Sequence, residues 1–243
     1  MTKSPYNLLA IPLWAAVVPL VTINVCFVIA VGMEHVPGCI PYLSGCTSVS
    51  STGRAAPESL VFRAGMLPTA VILAMFWHHC ATFLDLGGYR GRRLASLRLL
   101  GVFAALSLTV YALTLGFEEN VYRQLRRAGI IGFAVSTFAA EIILIFAYRP
   151  MRIAETEKLW RWLVILCLAL PAFDIVSELF KWAGTPRRAT NNTVAWNAFV
   201  AASLFYAVVA RIWWHHGFGG QLRINSSTEP KNTSAGRPAS PIE

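Results

Sequence analysis

The sequence predicts an all-α fold: a polytopic bundle of six transmembrane helices with a structured first outer loop. Three observations lead there. The chain of 243 residues is 56% hydrophobic and only 14% charged, where a soluble domain carries about a quarter charged residues. Apolar runs of about 20 residues recur, each long enough to cross a hydrocarbon core of roughly 30 Å. None of them alternates with the period of two that a membrane barrel needs, so helices are the form that satisfies a lipid-exposed backbone.

In chain order the predicted spans are Leu8–Val31, Ser59–Phe83, Leu97–Phe117, Gly129–Tyr148, Leu159–Trp182 and Val194–Trp214. The first is read as a retained span; its apolar stretch outruns the core of a signal peptide and only Lys3 precedes it, a cleaved signal being the alternative. Residues 1–216 form one helical domain. Residues 217–243, rich in Gly, Ser, Pro, Asn and Thr, are predicted to be a disordered cytosolic tail. Trp77, Trp160, Trp162, Trp182, Trp213 and Trp214 fall near the ends of the runs, where amphipathic rings form an interfacial belt. Ala104, Ala105, Gly129, Gly132, Ala139 and Ala140 suit close helix packing.

Arginines set the orientation. Arg90, Arg92, Arg93 and Arg98 flank the second connection, and Arg149, Arg152, Lys158 and Arg161 the fourth. This is a modest excess over the other side, and it predicts that both termini are cytosolic. The destination is an integral membrane: Golgi or another endomembrane in a eukaryote, the inner membrane in a bacterium. The net charge of +9 is spread among these loops. Head-group attraction explains it, so the partner classes are membrane lipids and other membrane proteins, not nucleic acid.

The long first outer loop, Gly32 to Glu58, interrupts this pattern. Thr52-Gly53 supplies a turn, and Pro57 and Glu58 suit the first positions of a helix. The order Val49-Ser50-Ser51-Thr52-Gly53, then Pro57-Glu58, then Val61-Phe62, resembles the motif of the FRAG/DRAM/SFK family of six-span proteins. Arg63, Trp77-His78-His79 and the closing stretch Arg211–Gly219 are most similar to the branch that remodels the lipid of GPI anchors. Ser51 replaces an aspartate of the autophagy branch, and Asn197 stands where an acidic residue is common. The resemblance implies a loop that caps the outer end, with Ser50, Thr52, Gly53, Pro57 and Glu58 as its motif residues. It also implies lipid binding or support of lipid remodelling from the outer or lumenal side. A non-catalytic regulator or scaffold is the alternative, followed by an intramembrane acyl-chain transferase or hydrolase.

Ionisable groups within spans are costly and usually face the bundle interior. Asp174 and Glu178 are four residues apart and share a helix face, beyond Pro171, which could kink the fifth span. With Arg63 at similar depth they are candidates for binding a lipid head group, Arg63 taking phosphate. The alternative is a structural ion pair between Arg63 and a carboxylate, with Glu178 on Lys181. Glu141 lies in the inner half of the fourth span, where it could meet His78 and His79, face an aqueous notch, or serve a proton relay. The adjacent pairs His78-His79 and His215-His216 lack the i, i+3 or i, i+4 spacing of helical metal ligands, so no metal is expected. Cys39 and Cys46 could form a disulfide in an oxidising compartment. No nucleophile triad, phosphate-binding loop or dinucleotide turn is present, so no catalytic residue is assigned and no cofactor is expected.

Overall fold

A computed structural model describes residues 8–182, 184 and 186–218, with the side chains at 170, 174, 180 and 181 excepted. Six long helices carry the apolar runs: α1 (Ala10–Gly32), α3 (Glu58–Leu86), α4 (Arg92–Thr114), α5 (Asn120–Tyr148), α6 (Glu157–Trp182) and α7 (Arg187–His215). A single-turn helix, α2 (Pro41–Ser44), lies in the first loop, and no strand occurs among the described residues. All six long helices are apolar and long enough to span a bilayer. The protein is a multi-pass, all-α membrane protein.

Most helices start or end outside the apolar runs, because hydropathy marks the bilayer and backbone hydrogen bonds mark the helix. Thus α5 begins at Asn120 rather than Gly129, and Arg123, Arg126 and Arg127 stand on helix, not loop. Likewise α7 begins at Arg187 rather than Val194. Its extra turns hold Asn192, one of the two asparagines that fasten the first loop.

Neighbours in the bundle follow the order α5–α4–α3–α1–α7–α6, with α5 and α6 meeting more sparsely to close the ring. Gly129 shows why α4 and α5 lie close: a Cβ there would stand 2.8 Å from the Ser107 carbonyl oxygen and 2.9 Å from the Tyr111 nitrogen. The end that bears α2 and the first loop is here called the cap end, and the other the far end. The far half of the interior is filled with aromatic rings. Phe76 contacts Trp77 and Tyr206 edge to face and stacks on Trp213, while Phe83 contacts Tyr148, Trp213 and Phe218. Such ring pairs add about 0.5–1.5 kcal/mol each beyond the area they bury.

This filling corrects the predicted belt. Trp77 and Trp213 are fully buried, 0% exposed, while Trp162, Trp182 and Trp214 are exposed as a belt requires. Position along the helix places all of them near an interface, but the helix face each occupies decides whether it meets lipid or core. Phe218, within the predicted tail, packs against Phe83 and Trp213; the tail beyond it, from Gly219, lies outside the described residues.

Candidate functional site

At the cap end the first loop is fastened both to itself and to the last helix. Cys39 and Cys46 form a disulfide across the turn of α2, Cα atoms 6.7 Å apart. The Tyr42 hydroxyl meets Asn24 of α1, whose Nδ2 lies 2.8 Å away. From α7, Asn192 Nδ2 donates to the Gly45 carbonyl at 2.9 Å, buried Trp196 Nε1 to the Thr47 carbonyl at 2.9 Å, and Asn197 Nδ2 to the Tyr42 carbonyl at 2.9 Å. These bonds take up loop carbonyls that no secondary structure would satisfy. A carboxylate at position 197 could not make this bond, because it has no proton to donate to a carbonyl.

The motif residues make a tight local fold beneath this clasp. Ser48 Oγ bonds Ser50 Oγ at 3.1 Å, bonds Ser51 Oγ at 2.6 Å, and accepts the Ser51 N–H at 3.1 Å. Buried Thr52 donates to the Val49 carbonyl at 2.8 Å. Gly53 is required by contact, since a Cβ there would lie 2.6 Å from the Phe62 ring, and Phe62 in turn packs on Tyr111. Pro57 precedes the first turn of α3, and Glu58 opens it. Glu58 is 0% exposed, and its Oε1 lies 2.6 Å from Nδ1 of His35, a partly exposed side chain at the loop's start. Glu58 Oε2 is buried without a partner.

Arg63 lies farther along α3. It donates from Nη2 to the Leu115 carbonyl at 2.8 Å, just past the end of α4, and its guanidinium stands 5.5 Å from the Phe117 ring centre. Its Nε is buried without a partner. The expected ion pair with a carboxylate is therefore absent among the described residues. The reason is topological: α3 packs between α1 and α4, whereas α6, which carries Asp174 and Glu178, packs on α7 and α5. Glu178 is exposed, and the side chain of Asp174 lies outside the described residues, as does that of Lys181.

A second polar group lies in the far half. Glu141 on α5 is 1% exposed and shares a hydrogen bond with the Cys167 thiol on α6. Tyr206 of α7 and Cys80 of α3 are buried in the same part of the interior. Glu141 does not meet the histidines: His78 is exposed, and His79 bonds its own helix through Nδ1 and the Met75 carbonyl at 2.7 Å. Glu141 Oε1 is buried without a partner, as are Thr137 Oγ1 one turn earlier and the indole nitrogens of Trp77 and Trp213.

At the far surface His216 joins Tyr148, with Nε2 2.9 Å from the phenol oxygen. His216 also lines an open recess of ≈ 520 Å³ with Gly87, Tyr89, Arg90, Met151 and Ile153. Burial, with a smaller contribution from the neighbouring His215, holds the His216 imidazole below its ordinary pKa. No three His, Cys, Asp or Glu side chains among the described residues are grouped to hold a metal.

Fold and sites together define a polytopic helical membrane protein with a clasped loop at one end and a buried acid toward the other. No family model matches the chain, and neither a curated protein nor a solved structure matches it.

Sequence reasoning singled out Asn197, Cys39 and Cys46 of the clasp but missed two of its residues. Asn192, just before the apolar run, and Trp196, at its start, are four apart and form a donor-bearing face at the head of α7. His35 carries no sequence signal; only the fold brings it to Glu58.

Proposed function

We propose that the protein handles a membrane lipid at its cap end, binding the head group or supporting its remodelling as the FRAG/DRAM/SFK resemblance implies. In this reading the cap end faces the cell exterior or a lumen, and both termini are cytosolic. The observation that carries it is Glu58. A carboxyl group fully buried beneath the motif loop has one oxygen on His35 and the other on nothing. A buried carboxyl oxygen left without a hydrogen-bond donor costs about 1–3 kcal/mol unless something repays it. A head-group hydroxyl or amine donating to Oε2 would repay it, entering past the partly exposed His35. Arg63, farther along α3 and with Nε still free to donate, supplies the charge that a lipid phosphate needs.

The scaffold alternative is supported by a different observation. Arg63 already bonds the Leu115 carbonyl and covers Phe117, a role that is structural whatever the loop binds. Lipid analysis of a deletion strain complemented with wild type or Glu58→Gln separates the two. Lipid handling predicts that the deletion alters the acyl composition of one lipid class, that wild type restores it, and that Glu58→Gln, inserted at normal abundance, does not. Normal lipids in the deletion strain, with altered abundance of other membrane proteins, would leave the scaffold reading.

A further inference from the structure

Glu141 belongs to no part of the cap, and its surroundings form a column. On the buried face of α5, Thr137, Glu141 and Tyr148 follow at spacings of four and seven, which stack on one side of a helix. All three are buried. Tyr148 ends the column at the far surface, bonded to Thr156 at 2.8 Å and to His216.

The direction of those bonds can be assigned by counting protons. The Thr156 hydroxyl donates to the Ile153 carbonyl at 3.2 Å and accepts the Ile153 N–H at 3.2 Å. Its single proton is thereby used, so Tyr148 donates to Thr156 and the Tyr148 oxygen accepts from His216 Nε2–H. Neutral His216 therefore carries its proton on Nε2, and Nδ1 is left to accept a proton from water. The charged or titratable groups near this pair are His215 on α7, Arg152 after α5, and Arg90 across the recess.

Between Tyr148 and Glu141 lie two helical turns, about 10 Å. The aromatic cluster spans this interval, from Phe83 against Tyr148 to Trp213 and Phe76, then to Trp77 and Tyr206. Within the cluster the indole N–H groups of Trp77 and Trp213 are buried without partners, as is Glu141 Oε1. Buried water typically bonds several otherwise unsatisfied polar groups of this kind. The titratable groups around Glu141 are the Cys167 thiol of α6, which hydrogen-bonds it, and the buried Tyr206 of α7 and Cys80 of α3. No cationic side chain bonds Glu141 among the described residues, so a carboxylate there is the costly form.

We propose that Glu141 is an intramembrane proton-binding site, loaded from the far surface through His216, Tyr148 and buried water. A proton bonds to His216 Nδ1, and the Nε2 proton passes to the Tyr148 oxygen. The Tyr148 hydroxyl turns its own proton from Thr156 to a buried water, and the last water protonates the Glu141 carboxylate. One proton enters, one carboxylate becomes a carboxylic acid, and His216 returns to its starting tautomer by exchange with water in the recess. Such a site would couple proton uptake to whatever the bundle does.

The test is infrared spectroscopy of the full chain in lipid nanodiscs, following exchange from H2O into D2O. Wild type should show the carbonyl stretch of a protonated, buried carboxylic acid, shifting as deuterium reaches it, and Glu141→Gln should lose that band. His216→Phe and Tyr148→Phe should keep the band and slow its shift. A second readout is covalent labelling by the hydrophobic reagent dicyclohexylcarbodiimide, which adds to protonated carboxyls and should label wild type but not Glu141→Gln. Absence of both the band and the labelling in wild type would overturn the proton-binding site. A shift as fast in both phenylalanine variants as in wild type would overturn the route through His216 and Tyr148.

Discussion

The two ends of the bundle are held together by different chemistry. At the cap end, polar side chains from α7 reach loop carbonyls far away in sequence, and a disulfide closes the loop on itself. Toward the far end, aromatic rings fill the interior, and the indole N–H groups of Trp77 and Trp213 go unbonded within it, whereas at the cap end the unbonded atoms are Glu58 Oε2 and Arg63 Nε. The cap gains specificity from directional bonds, so few alternative loop positions satisfy the same donors. Ring packing is less directional and tolerates small shifts, which leaves room for water or a titrating group.

The largest effect expected from this contrast is at Trp196. It is fully buried, contacts Phe27 and Tyr42 with its ring, and donates to the Thr47 carbonyl. Trp196→Ala should cost about 3–5 kcal/mol, read as a lowered thermal unfolding midpoint in detergent, with the loop at 39–56 becoming sensitive to protease. Trp214, 54% exposed, is the comparison: Trp214→Ala should change little. Equal effects at the two positions would break the distinction between clasp and belt.

Arg63 comes next. Loss of its charged hydrogen bond to the Leu115 carbonyl predicts a destabilisation of about 1.5–3 kcal/mol for Arg63→Ala. Because α3 does not pack on α6, adding Asp174→Asn should restore none of it. A rescued unfolding midpoint in the double variant would return Arg63 to an ion pair and redraw the helix order.

The number and class of helices were legible in sequence because bilayer thickness imposes a length that apolar runs reveal directly. The start of α3 was legible as well, since Pro57 and Glu58 combine helix-start chemistry in two residues. Three things were not. The inward face of Trp77 and Trp213 depends on how neighbouring helices rotate, and run length carries no such information. The partner of Arg63 depends on which helices adjoin, and short loops order helices along the chain without fixing the ring. The His35–Glu58 contact joins residues 23 apart across an irregular loop, whose path no periodicity encodes. Glu141 was recognisable as an intramembrane acid from composition alone, but its pairing with Cys167 rather than with His78 or His79 required the packing of α5 on α6.

The smallest expected effect concerns His216 and tests whether the far end titrates. The fold lowers its pKa below the ordinary value of 6.5, through burial first and His215 second. The unfolded chain therefore binds this proton more tightly, and stability rises with pH across the window where the two states differ. The contribution is complete above the ordinary imidazole value and is lost as pH falls through the lower folded value. Protonation adds a hydrogen at Nδ1 and leaves the Nε2–H bond to Tyr148 in place, so the change reflects desolvation and His215 repulsion without a broken bond. It should accordingly be modest. Unfolding midpoints measured from about pH 8 to about pH 5 should decline less steeply in His216→Gln than in wild type. In His215→Gln, where one cause of the depression is removed, the folded value should rise toward that of the unfolded chain and the difference from wild type should narrow the window. An unchanged slope in His216→Gln would mean that the pH dependence of the far end comes from another group, and that His216 serves Tyr148 only as a fixed hydrogen-bond donor.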